Sequence, residues 1–376
     1  MTAATPQSRR ATIALLPGDG IGPEIVAAAR RVLDAIAERR GLTFTFTESL
    51  IGGAAIDATG VPLPDETIAH CRAADAVLLG AVGGPAWDNP SATVRPEQGL
   101  LGLRRTLGVF ANLRPVAPYR ALAHTSPLRP ELVDGVDLMV VRELTGGIYF
   151  GDKARETTAT GELARDVCTY TTPEIERVVR VAADLARGRT KRVTSVDKAN
   201  VLETSRLWRR VTTRVMEAEY PDVRLEHMLV DTCAMRLVQR PGDFDVIVTE
   251  NMFGDILTDE AAVIAGSIGL LPSASLGAPD PKTGRRAGLY EPIHGSAPDI
   301  AGQGLANPLG TILSAALLLR HSLGWEVEAK EIEEAVARTV AEGVLTRDLT
   351  PRGAEPASTD AVTSLVVDRL AEAAIA

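Results

Sequence analysis

Cysteine, aromatic residues, positive charge and long apolar runs are all scarce in this chain. Its three cysteines, Cys71, Cys168 and Cys233, lie far apart and form no C-x-x-C. That spacing argues against a disulfide framework or a structural zinc site, and it suits a reducing, cytoplasmic setting. No stretch approaches the ~20 apolar residues of a membrane-spanning helix. Residues 1–10 are polar and lack the apolar core of a secretory signal, so they read as a disordered lead-in. Lys and Arg total 40 against 49 Asp and Glu, a net charge of -9. Nucleic acid and anionic membrane surfaces are therefore poor partners. An anionic small substrate would need a local cluster of arginines against that background. Internal repeats and low-complexity tracts are absent. The dinucleotide fingerprint G-x-G-x-x-G fails twice, at Pro23 after Gly18 and Gly20, and at Asn307 after Gly302 and Gly304. There is also no G-x-x-x-x-G-K-[ST].

What is present is an ordinary globular composition, 45% hydrophobic and 24% charged over 376 residues, enough for about two domains. Apolar runs at 12–16, 43–47, 76–80, 137–141, 192–196, 225–230 and 244–249 read as strands. Between several of them lie helical patterns. Residues 22–40 carry apolar side chains at 25, 26, 29, 32, 33 and 36 and stop at Gly41; helices are also expected over 96–105 and 174–187. Alternating strands and helices predict an α/β fold with a largely parallel sheet, whose ligands bind beyond the carboxyl ends of the strands. The C-terminal third predicts three helices, from 309 to about 321, 329–342 and 360–374. The segments at 277–288 and 289–302 read as a turn-rich stretch and an ordered loop.

Chemistry concentrates at strand ends. Glu250-Asn251-Met252-Phe253-Gly254-Asp255-Ile256-Leu257-Thr258-Asp259 follows the strand at 244–249 and leads into a helix, so Asp255 and Asp259 share one helical face. Two stacked carboxylates can serve a hard divalent cation. Equally, they can be a solvated acidic first turn favoured by the helix dipole. Asp231 ends another strand, as a third ligand or as an N-cap. Arg104, Arg114 and Arg142 can grip carboxylates bidentately, or each can be a surface arginine. Lys198 sits at a strand terminus, where burial beside other cations lowers a lysine toward a general base. Tyr149, in a glycine-rich turn, is either a half-buried packing residue or a proton donor.

Six motifs in order carry a resemblance. They are Leu16-Pro17-Gly18-Asp19-Gly20-Ile21-Gly22-Pro23-Glu24, Asn112-Leu113-Arg114-Pro115, Arg142-Glu143-Leu144-Thr145-Gly146-Gly147-Ile148-Tyr149, Asp197-Lys198-Ala199-Asn200, Asn251-x-Phe253-Gly254-Asp255-Ile256-Leu257-x-Asp259, and His294-Gly295-Ser296-Ala297-Pro298-Asp299-Ile300. Together they resemble the isocitrate/isopropylmalate dehydrogenase family of β-decarboxylating dehydrogenases, from residue 16 to about residue 321. One departure is Thr258, where serine is common.

The resemblance implies a two-domain α/β fold that is not Rossmann. The larger domain holds 1–109 and 266–376 with the cofactor side and both termini; residues 110–265 form a smaller inserted domain with the dimer interface, metal and catalytic residues. It implies a homodimer in which Lys198 and Asp231 serve the partner's active site. The implied reaction is oxidative decarboxylation of a malate substituted at C3. Arg104, Arg114 and Arg142 bind its carboxylates, and Asp231, Asp255 and Asp259 hold Mg²⁺ or Mn²⁺ against the substrate. Lys198 takes the C2 hydroxyl proton, and Tyr149 protonates C3. Ile21, His294, Gly295, Ser296, Ala297, Pro298, Asp299, Ile300 and Asn307 bind the dinucleotide. Asp299 repels a 2′-phosphate, which selects NAD over NADP. Leu100 and Leu101 suit an isopropyl group, and Glu97 repels a third carboxylate. The rival readings are D-malate or tartrate oxidation, since an apolar pocket discriminates modestly between alkyl groups, and a catalytically silent regulatory subunit.

Overall fold

The structure, a computed structural model, describes residues 9–87, 93–281 and 284–372. Most of the expected lead-in, residues 1–8, lies outside these, as do the last two residues of the expected C-terminal helix. Arg10, expected in the lead-in, is already part of the first strand.

In chain order the elements are β1 (Arg10–Gly18), α1 (Gly22–Arg40), β2 (Thr43–Glu48), α2 (Gly52–Thr59), α3 (Asp65–Ala73), β3 (Ala76–Ala81), α4 (Pro96–Leu107), β4 (Ala111–Val116), α5 (Pro130–Val133), β5 (Leu138–Glu143), β6 (Lys153–Thr158), β7 (Gly161–Asp166), α6 (Thr172–Arg187), β8 (Arg192–Asp197), α7 (Glu203–Glu219), β9 (Arg224–Leu229), α8 (Val230–Gln239), β10 (Val246–Thr249), α9 (Asn251–Ile264), β11 (Pro272–Pro279), β12 (Arg286–Pro292), α10 (Leu309–His321), α11 (Glu326–Ala341) and α12 (Thr359–Glu372). The chain divides into two compact units. The first is Met1–Val109 with Ser267–Ala376; the second is Phe110–Gly266.

In the first unit the strands run in the order β2-β1-β3-β12-β11. β1 pairs parallel with β2 and β3, β3 parallel with β12, and β12 antiparallel with β11. α10 is buried along Leu309 to Leu319, as expected of a helix apolar on every side. In the second unit the order is β4-β5-β10-β8-β9, with β5, β10, β8 and β9 parallel and β4 antiparallel to β5. The α/β expectation with a largely parallel sheet therefore holds. Among the described residues no helix is long and apolar enough to cross a membrane.

Two expectations give way and one element was unforeseen. Residues 289–292 are not loop: β12 buries Leu289, Tyr290 and Glu291 in the sheet, and its partner β11 occupies part of the stretch expected to be turns. The hairpin β6–β7 was not legible, because its residues are polar on both faces and leave no period-2 apolar signal. The strand expected from 244 begins at Val246, after a short 3-10 turn.

The glycine-rich turn after β1 is a packing device. A Cβ on Gly20, whose φ is +58°, would lie 2.0 Å from the Ser296 carbonyl oxygen. Between these glycines the buried Asp19 carboxylate accepts the backbone N–H groups of Gly53 (2.8 Å), Ala54 (2.7 Å) and Gly83 (2.7 Å). It ties α2 and the loop after β3 to the first turn. Asp19→Ala is expected to cost about 2–4 kcal/mol, because it orphans three backbone donors. Urea unfolding checks this, and a loss below about 0.5 kcal/mol would show that water replaces the carboxylate.

Candidate active site

In the second unit, antiparallel pairing sets Asn112 of β4 opposite Arg142 of β5. Arg114 lies two residues beyond Asn112, so both project from one face of the strand. Both arginines are buried, at 8% and 4% exposure, unlike the surface alternative for each. Arg114 donates from Nε to Asn112 Oδ1 (2.9 Å) and from Nη1 to Thr258 Oγ1 (2.7 Å). Arg142 donates from Nε (3.0 Å) and Nη2 (2.8 Å) to Asn251 Oδ1.

α9 begins directly after β10, capped by Glu250, whose side chain accepts the N–H of Phe253 (2.7 Å). It passes so close to β5 that a Cβ on Gly254 would fall 2.6 Å from Arg142 Cγ. Glycine here lets the helix deliver Asp255 to the arginines. Asp255 pairs with Arg142 Nη1, accepts the Tyr149 hydroxyl (3.0 Å) and lies 3.7 Å from Arg114 Nη2. Asp259, one turn on, lies 3.6 Å from Arg114 Nη1 and its side chain is 73% exposed. Since the helix starts at Asn251, the two aspartates fall beyond its first turn, and the dipole reading fails. Burial first, and then the Asp255 carboxylate, raise the pKa of the Tyr149 hydroxyl and keep it protonated.

Lys198 follows β8 and forms a separate pair. Its Nζ lies 3.0 Å from Asp231 Oδ2, and that hydrogen bond is the main cause of the lowered Asp231 pKa. The partner is thus a carboxylate. The N-cap alternative for Asp231 also fails. α8 begins at Val230 with Leu229 at the cap, so Asp231 sits inside the first turn. Behind Lys198, buried Asp197 is gripped by Arg209 from Nε and Nη2, both at 2.9 Å.

In the first unit α4 carries Glu97, Leu100, Leu101 and Arg104. Arg104 Nη2 donates to Glu291 Oε1 of β12 at 2.6 Å, a partner not anticipated from the sequence. Leu100 packs partly against the core around Leu79 and Leu103, and Leu101 is half-buried. Glu97 leans over the glycine loop, where a Cβ on Gly83 would lie 2.9 Å from its Oε1. Ile21 is buried at the start of α1 and donates its N–H to Ser296 O (2.8 Å). Within 293–300, Gly295, Pro298 and Asp299 are exposed, Ser296 is buried, and Ala297 and Ile300 pack near Ile21 and Ile25. Asn307 Nδ2 donates to Asp348 Oδ2 (3.0 Å).

The residues fit a hard cation and a dinucleotide in part. Asp255 and Asp259 offer carboxylate oxygens one turn apart, the donor chemistry of Mg²⁺ or Mn²⁺. The single chain does not complete a ligand set: among the described residues no three His, Cys, Asp or Glu are grouped to hold an ion, and Asp231 stays with Lys198. The His294 ring has its Nδ1 on Gly295 O (2.9 Å) and a buried Nε2 that meets no partner among the described residues, an unsatisfied polar position in the loop expected to take the adenosine end.

The family described as isocitrate/isopropylmalate dehydrogenase matches residues 12–366. A 3-isopropylmalate dehydrogenase of Anaeromyxobacter dehalogenans is 61% identical over 362 residues, 96% of this chain and 99% of that protein. One from Rhodopirellula baltica is 58% identical with the same coverage of both chains. Among solved structures, an isocitrate dehydrogenase from Methylococcus capsulatus superposes with a TM-score of 0.83 at 36% identity, covering 96% of this chain and 99% of that one. A β-decarboxylating dehydrogenase from Thermococcus kodakarensis gives 0.76 at 36% identity, covering 96% of each. Since relatives named for different substrates share this fold, substrate choice rests on side chains. By sequence along nearly its whole length and by fold, the chain belongs to the isocitrate/isopropylmalate dehydrogenase family.

Proposed function

We infer that this chain catalyses the oxidative decarboxylation of 3-isopropylmalate to 4-methyl-2-oxopentanoate and CO₂ in leucine biosynthesis, with NAD⁺ and Mg²⁺ or Mn²⁺. The observation that carries the chemistry is Asp255. One carboxylate, a turn from Asp259, joins two buried arginines and the Tyr149 hydroxyl. These contacts support reading the arginines as anion receptors, Tyr149 as a proton donor and the two carboxylates as hard oxygen ligands. Relatives at 54–61% identity carry the name of the substrate.

Arg114 and Arg142, buried and fixed by Asn112, Thr258 and Asn251, bind the carboxylates, and Arg104 adds a further guanidinium from α4. Leu100 and Leu101 receive the isopropyl group. Glu97 disfavours a third carboxylate, which argues against isocitrate. Asp231, Asp255 and Asp259 hold the cation, with Asp231 and Lys198 reaching the partner's site in a homodimer. When bound, the cation would supply Lewis acidity and NAD⁺ a hydride acceptor. Lys198 takes the C2 hydroxyl proton, directly or through water. Tyr149, kept protonated by its surroundings, returns a proton to C3 after CO₂ leaves. Ile21 faces the nicotinamide, His294 to Ile300 with Asn307 take the adenosine end, and Asp299 disfavours a 2′-phosphate.

A dimer suits the surface. Met235 (56%) and Val238 (45%) on α8, with Ile256 (58%) and Val263 (50%) on α9, expose large apolar side chains on neighbouring helices. A cytoplasmic setting suits the three free cysteines. The regulatory-subunit reading is disfavoured because Lys198, Tyr149 and all three aspartates are present.

The test is NADH formation with Mg²⁺, comparing kcat/KM for 3-isopropylmalate, D-malate, tartrate and isocitrate. Isopropylmalate is expected to lead D-malate by at least about tenfold, from burial of its alkyl carbons. A lead for D-malate or tartrate would keep the catalytic assignments and remove the role of Leu100 and Leu101.

A further inference from the structure

We propose that Tyr170 is the positioning residue that sets both Arg142 and Tyr149, through two separate contacts of one side chain. The inference rests on the reading above of Arg142 as a carboxylate receptor and Tyr149 as a proton donor.

Tyr170 stands just before α6 and is 7% exposed. Its hydroxyl accepts the backbone N–H of Asn251 (2.9 Å) and donates to Glu250 Oε2 (3.2 Å). Asn251, 1% exposed, presents its Oδ1 to two nitrogens of Arg142. The hydroxyl is therefore one residue removed from the acceptor that orients the guanidinium. It fixes the start of α9, and with it the Asn251 side chain.

The ring makes the second contact. A Cβ on Gly146 would lie 2.6 Å from Tyr170 Cε1, and one on Gly147 would lie 2.6 Å from the hydroxyl oxygen. The turn leading to Tyr149 thus lies directly on the Tyr170 ring, with no space for a side chain. The neighbouring backbone closes the fit, with Gly147 N donating to Thr169 O at 3.0 Å. Asn251 joins the two halves, because its Nδ2 donates to Gly146 O (3.1 Å) while its Oδ1 serves Arg142. Trp208 packs edge-on behind the ring, centroids 5.7 Å apart, and holds it in place. Tyr170 need touch neither substrate nor cofactor; it acts through its neighbours. The reason for a tyrosine rather than a phenylalanine is the pair of buried groups, the Asn251 N–H and the Glu250 carboxylate, which both need its hydroxyl.

Tyr170→Phe keeps the ring and deletes the hydroxyl. It is expected to lower kcat/KM for the dicarboxylate substrate about tenfold, the worth of a buried hydrogen bond to a charged group, while KM for NAD⁺ stays within about twofold. Tyr220→Phe removes another part-buried hydroxyl of the same unit, one bonded to Asp184 at 3.0 Å, and should leave kcat/KM unchanged. Combined with Arg142→Lys, Tyr170→Phe should be less than additive, since both remove the same orientation. Asn251→Asp keeps an acceptor for Arg142 and loses the donor to Gly146. It should therefore lower kcat, and its new carboxylate beside Arg142 should raise KM for the substrate as well; it tests the Tyr149 branch even if the tyrosine variant fails to fold. A Tyr170→Phe enzyme within twofold of wild type, strict additivity with Arg142→Lys, or an Asn251→Asp enzyme with unaltered kcat would each overturn the proposal. If Arg142→Lys is itself silent, the reading of Arg142 has failed, and this inference falls with it. If Arg142→Lys is damaging and Tyr170→Phe is not, the inference fails alone.

Discussion

Replacing Lys198 by methionine is expected to lower kcat by about 10²–10⁴-fold, the span associated with loss of a general base. Methionine keeps the length of the stem and removes the amine. The pair with Asp231 Oδ2 at 3.0 Å disappears, but that pair is solvent-exposed on the Asp231 side, and stability should change by less than about 1 kcal/mol. KM for the substrate should move far less than kcat, because the proton is transferred in the transition state and not on binding. A kcat within tenfold of wild type would take Lys198 out of the chemistry. The same variant tests where the lysine works. Mixed with Asp255→Asn and reassembled, two inactive proteins should recover about a quarter of wild-type activity. About half of random dimers are mixed, and each mixed dimer has one site with both residues intact. No recovery would mean that Lys198 and Asp255 of one chain serve the same site.

Asp255→Asn should raise the Mn²⁺ concentration for half-maximal activity by more than about 100-fold and lower kcat/KM by about 10²–10³-fold. The substitution preserves shape and a hydrogen-bonding oxygen but removes the charge that faces Arg142, Arg114 and the Tyr149 hydroxyl. Two positive guanidiniums then lack their shared carboxylate. Because Asp255 is 36% exposed, this should cost only about 1–2 kcal/mol, well under the penalty of a fully buried pair. The direct readout is thermal. Wild-type Tm should rise with Mn²⁺ by mass action, and the variant's should not. An equal rise in both proteins would show that the cation binds without Asp255, and the carboxylate's role would then be to orient the arginines.

Arg142 shows how far local patterning reaches. The apolar run at 137–141 before Arg142-Glu143 reads as a buried strand, and the structure has that strand, extended through Arg142 and Glu143. Asp255 and Asp259 were legible as one helical face because the 3.6-residue period is a local property of the chain. The motifs likewise carried the family, since spacing within each motif is local and their order is fixed by the chain. The polar hairpin β6–β7 had no such signal, and β12 was hidden because its short apolar stretch is flanked by turn residues.

What the sequence by itself determined is the set of elements with a strong apolar period, the placement of the charged residues at their ends, and the chemistry those residue types can support. Tertiary structure alone decided the partners. Arg104 meets Glu291, 187 positions away; Lys198 meets Asp231; Tyr170 meets Asn251 across 81 residues. Each of these is a contact between elements distant in the chain. It depends on strand order, and on glycines at 146, 147 and 254 that let backbones approach. Burial then enforces the pairing, because a charge or donor removed from water must find its partner wherever the sheet has placed it.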